Sequence, residues 1–249
     1  MIPKTIHYCW FGKKELPELA LKCIESWKKH MPDYEIKLWN EDNFDININQ
    51  YVKEAYEAKK YAFVSDVARF YILYHYGGIY LDTDVEVLKP LDRFLNDGAF
   101  MGFEDGKHVA PGLIIGAEKG NVIIKEILDN YSKEKFILKD GSYNLTTVVK
   151  YTTNILLKYG LVQDNSKQNV NGMIIYPKTY FCPLNVDDNK TDFSINTFTI
   201  HHFSASWLND EEKIKGKRNL KIKKIITRFI GERGFEIILK LRNHLLKKY

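Results

Sequence analysis

Two aspartates one residue apart, Asp82 and Asp84, sit in the stretch "YHYGGIYLDTDVEVLKP" at residues 74–90. Two carboxylates at that spacing can share one hard divalent cation, and such a cation can bridge a diphosphate. The same pair can equally be the polar end of a strand. With 16 Asp in 249 residues, chance supplies about one Asp-x-Asp per chain, and this chain has one. The neighbours therefore carry the weight. Asp66 and Arg69 lie three apart, on one face of a predicted helix, interleaved with Phe63, Val67 and Phe70. An ordinary ion pair is the simpler reading, yet a charged pair on so apolar a helix calls for a reason. The Gly77-Gly78 turn brings that helix end close to the Asp82 strand, so that Asp66, Asp82, Asp84 and Arg69 converge on one crevice. Residues i and i+2 of a regular strand point the same way, so both strand acids can face one Mg2+ or Mn2+ ion.

The elements that must position these groups follow from hydrophobic periodicity. "KTIHYCWFG" reads as a first strand ending at Gly12. "LPELALKCIESWKKHMP" is a helix with Leu19, Cys23, Ile24 and Trp27 on one face, and "YEIKLWNED" alternates as a second strand. "AFVSDVARFYILYHYGG" is a helix capped by Gly77, followed by one strand over "IYLDTDVEVL" that closes at Lys89-Pro90. Further strands are predicted around 99–103, 112–117, 173–177 and 197–203, and helices at 121–133 and 144–159. Strands alternating with helices predict an α/β protein with a mostly parallel, doubly wound sheet. In such sheets ligands gather outside the carboxyl ends of the strands, and Asp82 and Asp84 lie near one such end.

The run "YAFVSDVARFYILYHYGGIYLDTD" resembles the signature of the Asp-x-Asp sugar transferases of glycosyltransferase family 32. "IPKTIHYCWFG" resembles that family's first strand, "PDYEIKLWNED" its second, and "TIHHFSASW" its closing His–Trp segment, so the likeness spans about residues 1–207 in order. The resemblance implies a GT-A fold, a nucleotide-diphosphate sugar donor, Mn2+ or Mg2+, and retention of anomeric configuration. Carried over by position, Asp84 would bind the metal directly, and Asp82 would contact the ribose or donor sugar and the metal's water shell. Asp66 and Arg69 would hold donor-sugar hydroxyls, with Ser65 and Tyr80 beside the diphosphate or sugar and Trp10 in the base pocket. His202 falls where relatives carry a further metal ligand, whereas His201 alternates to the other face and is read as structural. Trp207 would close over the diphosphate, with Ser204 or Ser206 on phosphate. "HVAPGLIIGAEKGN" resembles the acceptor-facing region, which makes Glu104, Asp105 and His108 acceptor-side candidates. His7 and Trp27 are read as packing.

Composition sets the remaining bounds. Cys9, Cys23 and Cys182 have no metal-ligand spacing and read as reduced core thiols of a cytoplasmic protein. No run of 18 apolar residues is present, and the opening "MIPKTIHYCWFGKK" lacks a secretory pattern. The net charge of +5 is unevenly spread. Residues 213–249 carry 13 Lys and Arg against 2 Glu, which leaves 24 basic against 30 acidic side chains on residues 1–212. A catalytic domain over 1–210 and a basic amphipathic helical tail over 211–249 are therefore expected. Ile222, Ile225, Ile226, Phe229 and Ile230 share one side of that tail, which reads either as a segment for peripheral contact with a membrane or as helices packed on the body. No nucleic-acid recognition module accompanies the charge.

The function expected is transfer of a hexose or N-acetylhexosamine to a glycan or lipid-linked glycan in surface-polysaccharide synthesis, of the capsule or lipopolysaccharide kind. Two alternatives stand beside it. A haloacid-dehalogenase-type phosphatase also opens on Asp-x-Asp, but its motif needs Thr or Val where this chain has Glu86. A sugar-binding module without catalysis would keep the aromatic residues and would not require Asp84.

Overall fold

The computed structural model describes residues 1–185, 190–204 and 231. The chain divides after Ser204 into two units, and everything below concerns the first, Met1–Ser204. The expected boundary at 210/211 and the basic tail lie outside the described residues, Gly231 apart. No described helix is long and apolar enough to cross a membrane.

The opening is β1 (Thr5–Cys9), α1 (Glu18–His30), β2 (Glu35–Trp39), α2 (Gln50–Glu57), α3 (Tyr61–Tyr76) and β3 (Gly78–Tyr80). There follow β4 (Val85–Val87), β5 (Ala99–Gly102), β6 (Ile115–Ala117), α4 (Val122–Lys133), α5 (Val148–Lys158), β7 (Gln168–Val170) and β8 (Met173–Tyr176). The last elements are α6 (Lys178–Phe181), the short pair β9 (Leu184–Asn185) and β10 (Lys190–Thr191), and β11 (Thr199–His201). Side chains make the helix starts where the sequence offers acceptors: Asn49 caps α2, Asn121 caps α4 and Thr147 caps α5 by accepting backbone N–H bonds. The Thr147 cap is why α5 begins at Val148 and not at 144 as predicted.

Seven strands form the main sheet in the order β2-β1-β3-β6-β5-β8-β7. The pairs β1–β2, β1–β3 and β5–β8 are parallel, and β6 and β7 each run against their neighbours. Five strands thus share one direction, the mixed α/β architecture with a mostly parallel sheet that the GT-A expectation required. Side chains alternate between two cores along each strand, as the pleat dictates. Cys9, Tyr80, Ala99, Met101, Ile115 and Ile175 face the α2–α5 layer. Ile6, Ile79, Phe100, Ile174 and Tyr176 face the layer that holds α1 and α6.

One prediction is corrected here. The single strand expected over "IYLDTDVEVL" is two strands in two sheets, because the chain turns at Asp82, where Val85 N–H donates to the Asp82 carbonyl at 3.0 Å. β3 stays in the main sheet, while β4 pairs antiparallel with β11, His201 opposite Val85. Asp82 and Asp84 converge through this turn and not through a strand pleat.

A buried histidine fixes the step from α3 into β3. Trp39 Nε1–H donates to His7 Nδ1 at 3.1 Å, which makes Nδ1 the acceptor and leaves Nε2–H to donate to the Gly77 carbonyl at 2.9 Å. Gly78 has φ +109°, and a Cβ there would lie 2.8 Å from His7 Nε2. Only glycine fits both demands. Burial pulls the His7 imidazole down to about 4, against the opposing Gly77 bond, so the ring is neutral at physiological pH. The reading of His7 and Trp27 as packing agrees with their burial; the Trp27 indole N–H donates to the Val85 carbonyl at 2.7 Å.

Candidate active site

α3 carries Asp66 and Arg69 on a helix whose other faces are core, and both side chains are buried. Arg69 Nη2 reaches Asp66 Oδ1 at 3.0 Å and Asp82 Oδ1 at 3.3 Å. Its Nε–H donates to the Ser65 carbonyl at 3.2 Å, and its guanidinium lies 4.8 Å over the Tyr80 ring. Tyr80 is itself buried, and its hydroxyl donates to Asp82 Oδ1 at 3.0 Å. The arginine thus sits between two carboxylates and on an aromatic face, which is how a cation is kept charged away from water.

Gly112 closes this half. Its carbonyl accepts the Asp82 N–H at 3.3 Å, and a Cβ at this position would fall 2.3 Å from Asp82 Oδ2 and 3.4 Å from Arg69 Nη1. Nη1 is buried and has no hydrogen-bond partner among the described residues. A buried, unsatisfied guanidinium nitrogen is costly, and it marks a place where an acceptor atom is wanted.

The other half is built across β4 and β11. Asp84 Oδ1 meets His201 Nε2 at 3.1 Å, and Asp84 Oδ2 accepts the Ser204 N–H at 2.8 Å and the Ser204 hydroxyl at 2.9 Å. The His202 N–H donates to the Asp84 carbonyl at 3.0 Å, which locks the strand end onto the motif. Asp82, Asp84 and His201 bring one ligand atom each to within 4.8 Å of one another.

The electrostatics separate the three acids. Burial pushes the Asp66 carboxyl up to about 7 in spite of Arg69. Burial also raises Asp82, opposed by Arg69 and reinforced by Asp84. For Asp84 burial acts upward too, but the His201 and Ser204 bonds outweigh it and hold the carboxyl well below the usual carboxylate range. Burial would lower His201, and Asp84 reverses that, so the imidazole is raised. In effect a hydrogen bond from His201 occupies the side of Asp84 where positive charge is called for. Two carboxylates and an imidazole also match the donor preference of Mn2+, with Mg2+ served by the oxygens alone. His201 Nδ1, buried and unpartnered among the described residues, leaves the ring free to present Nε2 to such an ion as a neutral ligand.

Two site expectations change. His202, predicted to face the metal, turns the other way and meets Glu86 Oε2 at 2.9 Å. His201, read as structural, is the histidine against the aspartates, because β11 pairs with β4 in the register that sets His201 opposite Val85. Tyr80 holds Asp82 from within the core and does not line open space. Ser204 is engaged with Asp84. Ser65 is half-buried with its hydroxyl bonded to the Tyr61 carbonyl at 3.2 Å, and Trp10 follows β1 with its indole N–H on the Lys14 carbonyl at 2.6 Å. Because β1 and β3 are parallel neighbours, Trp10 and Asp82 emerge at the same end of the sheet. Ser206 and Trp207 lie outside the described residues.

On the acceptor-side candidates, Asp105 Oδ2 meets His108 Nδ1 at 2.8 Å. Glu104 is half-buried; burial raises its carboxyl, and the charge of His201 pulls against that rise. Cys9 lies beneath the site, but burial pushes its thiol up to about 12, so it is no nucleophile. The sequence reading missed His201 and Gly112; for a glycine whose role is to leave room, no local signal exists.

Residues 17–101 match the family described as the glycosyltransferase sugar-binding region containing a DXD motif. Inositol phosphoceramide mannosyltransferase 3 of Schizosaccharomyces pombe is 30% identical over 143 residues, which cover 54% of this chain. This chain spans only 38% of that relative's length. An uncharacterized glycosyltransferase, L373, of Acanthamoeba polyphaga mimivirus is 28% identical over 216 residues, 83% of this chain and 84% of its own. Among solved structures, the PaToxG glycosyltransferase is 22% identical with a TM-score of 0.48, over 63% of this chain and 69% of its own.

Proposed function

We propose that this chain, whose residues 17–101 match the glycosyltransferase sugar-binding region containing a DXD motif, is a metal-dependent transferase that moves a hexose from a nucleotide-diphosphate sugar. The observation that carries this reading is the convergence of Asp82, Asp84 and His201 beside the buried Asp66–Arg69 pair. Asp84, Asp82 and His201 would hold Mn2+ or Mg2+, which supplies positive charge to a departing diphosphate when bound.

The chain's own residues supply orientation. Arg69, fixed by Asp66, Asp82 and the Tyr80 ring, presents its unpartnered Nη1 beside Gly112, where a sugar hydroxyl can accept a hydrogen bond. Asp66 and the open Oδ2 of Asp82 accept from further hydroxyls. Trp10 offers an aromatic face to the nucleobase. Pre-set groups of this kind lower the barrier because they need no reorganisation when charge develops.

The name of the S. pombe relative makes mannose the first sugar to test. The acceptor in this reading is a glycan or lipid-linked glycan of surface-polysaccharide synthesis on the cytoplasmic side, with anomeric configuration retained, as the family resemblance implies. The test is a panel of nucleotide sugars with the full chain and Mn2+, read as thermal shift and as release of the nucleoside diphosphate. One donor is expected to stabilise the chain and to turn over, and Asp84→Ala to abolish turnover. Turnover unaffected by Asp84→Ala or by chelation of the metal would remove the reading.

A further inference from the structure

The connection from α4 to α5, residues 134–147, is a folded hairpin that shows apolar side chains to solvent. Leu138 N–H donates to the Ser142 carbonyl at 2.8 Å, Gly141 N–H returns to the Leu138 carbonyl at 2.9 Å, and Ile137 bridges Tyr143. Its base is pinned. Asn144 is buried and donates to the Tyr151 hydroxyl at 2.9 Å and to Glu134 Oε2 at 3.2 Å. Phe136 is wholly buried, 5.0 Å from the Phe63 ring and stacked on Tyr143 at 5.1 Å.

On this rigid base Ile137, Leu138, Tyr143 and Leu145 remain 38%, 43%, 43% and 61% exposed. Four such residues together are unfavourable in water, and a cluster of this kind marks an interaction surface. The charges around them are sorted. Glu134 is turned to Asn144, Asp140 to Ser142 and Glu54 to the Ile137 N–H, while Lys133, Lys135 and Lys139 are exposed and form no ion pair among the described residues. The hairpin also lies at the substrate end of the molecule, since Phe63 sits one helical turn before Asp66 on α3.

We propose that this hairpin docks the protein on an anionic lipid surface. Ile137, Leu138, Tyr143 and Leu145 enter the boundary between headgroups and acyl chains, and the three lysines meet the headgroups. Four apolar side chains on one hairpin, flanked by three exposed lysines, suit an anionic lipid surface better than a protein partner, which needs a broad complementary patch of about 1,000 Å² or more. Docking would turn the Asp82 end of the sheet towards an acceptor carried in that surface. That consequence rests on the transferase reading; the docking itself does not.

The experiment uses the full chain. Cys9, Cys23 and Cys182 are all buried, so a cysteine introduced by Leu145→Cys can be labelled selectively with an environment-sensitive fluorophore. Vesicles of phosphatidylcholine mixed with phosphatidylglycerol are expected to raise its emission several-fold and shift it to the blue. The same label at Val122→Cys, exposed at the opposite end of α4, should not respond. Replacing Lys133, Lys135 and Lys139 together by Gln should weaken binding to those vesicles on the order of 100-fold. Vesicle binding that leaves the probe at 145 silent would overturn the proposal, as would no vesicle binding at all. Emission that rises with protein concentration in the absence of lipid would overturn it too, by showing that a second copy covers the hairpin. No sugar nucleotide enters the assay, so its failure and the failure of the transferase reading are separate.

Discussion

The Asp82 carboxylate is held by its own stretch of chain, whereas the Asp84 carboxylate is held by residues as far as 120 positions further on. The first half of the site, Asp66, Arg69, Tyr80 and Asp82, lies within 17 consecutive residues and rests on α3 and the main sheet. The second half, Asp84, His201 and Ser204, exists only because β11 pairs with β4 in a separate two-stranded sheet. The first half is a buried ion-pair cluster with fixed geometry. The second is a carboxylate saturated by a histidine and a serine that must release it, at least in part, if a metal is to take it. One half therefore orients, and the other can exchange partners.

The largest expected effect lies in the second half. Asp84→Ala should lower metal-dependent turnover on the order of 10³-fold, measured as nucleotide release at temperatures where a melting curve shows the variant folded. Turnover preserved in the folded variant would instead make Asp84 part of the fold. In the first half the main effect should be on stability. Arg69→Met leaves Asp66 and Asp82 facing each other in a buried site and should destabilise the chain by about 3–5 kcal/mol in urea unfolding. Adding Asp66→Asn should recover part of that loss, and no recovery would mean that the two do not act as a pair.

The turn that feeds the first half has a pH signature. His7 is neutral in the fold with its pKa lowered to about 4 by burial, while in the unfolded chain it titrates near its ordinary value of 6.5. Its contribution is therefore fully present above pH 6.5 and is lost as pH falls from there through about 4. The loss reaches on the order of 3 kcal/mol. Urea midpoints across that range should show it, and His7→Gln should flatten the slope.

Smaller effects distinguish the two histidines. His201→Gln should weaken Mn2+ binding about 10–100-fold, read by calorimetry. His202→Gln removes only a half-exposed contact with Glu86, worth at most about 1 kcal/mol, and should bind Mn2+ like the parent. The opposite order would restore the assignment made from sequence. Between these two falls Gly112→Ala, where crowding against Asp82 Oδ2 should cost about 1–3 kcal/mol, chiefly as lost donor binding.

What could be read from the chain follows the same division. The α3 stripe, the Gly77 cap, the first two strands and the Asp66–Arg69 pair are local patterns, and each appears in the fold near its predicted place. α2 was not predicted, since its buried face of Tyr51, Val52 and Ala55 is short and its cap, Asn49, stands in a run of Asn and Asp that reads as loop. The break at Asp82 was hidden because "IYLDTDVEVL" satisfies strand preferences on both sides of a turn that only the β4–β11 pairing rewards.

By itself the sequence determined which residue types would meet: three acids and an arginine at the carboxyl end of a mostly parallel sheet, in a segment that matches a sugar-binding family. Hydrophobic periodicity and glycine caps are short-range, so one stretch of chain contains them whole. Tertiary structure alone decided which histidine completes the cluster. Adjacent residues of a strand face opposite ways, so the choice between His201 and His202 is one step of register against β4. It also decided that Gly112 must be bare, because the atom it leaves room for, Asp82 Oδ2, arrives from the turn after β3.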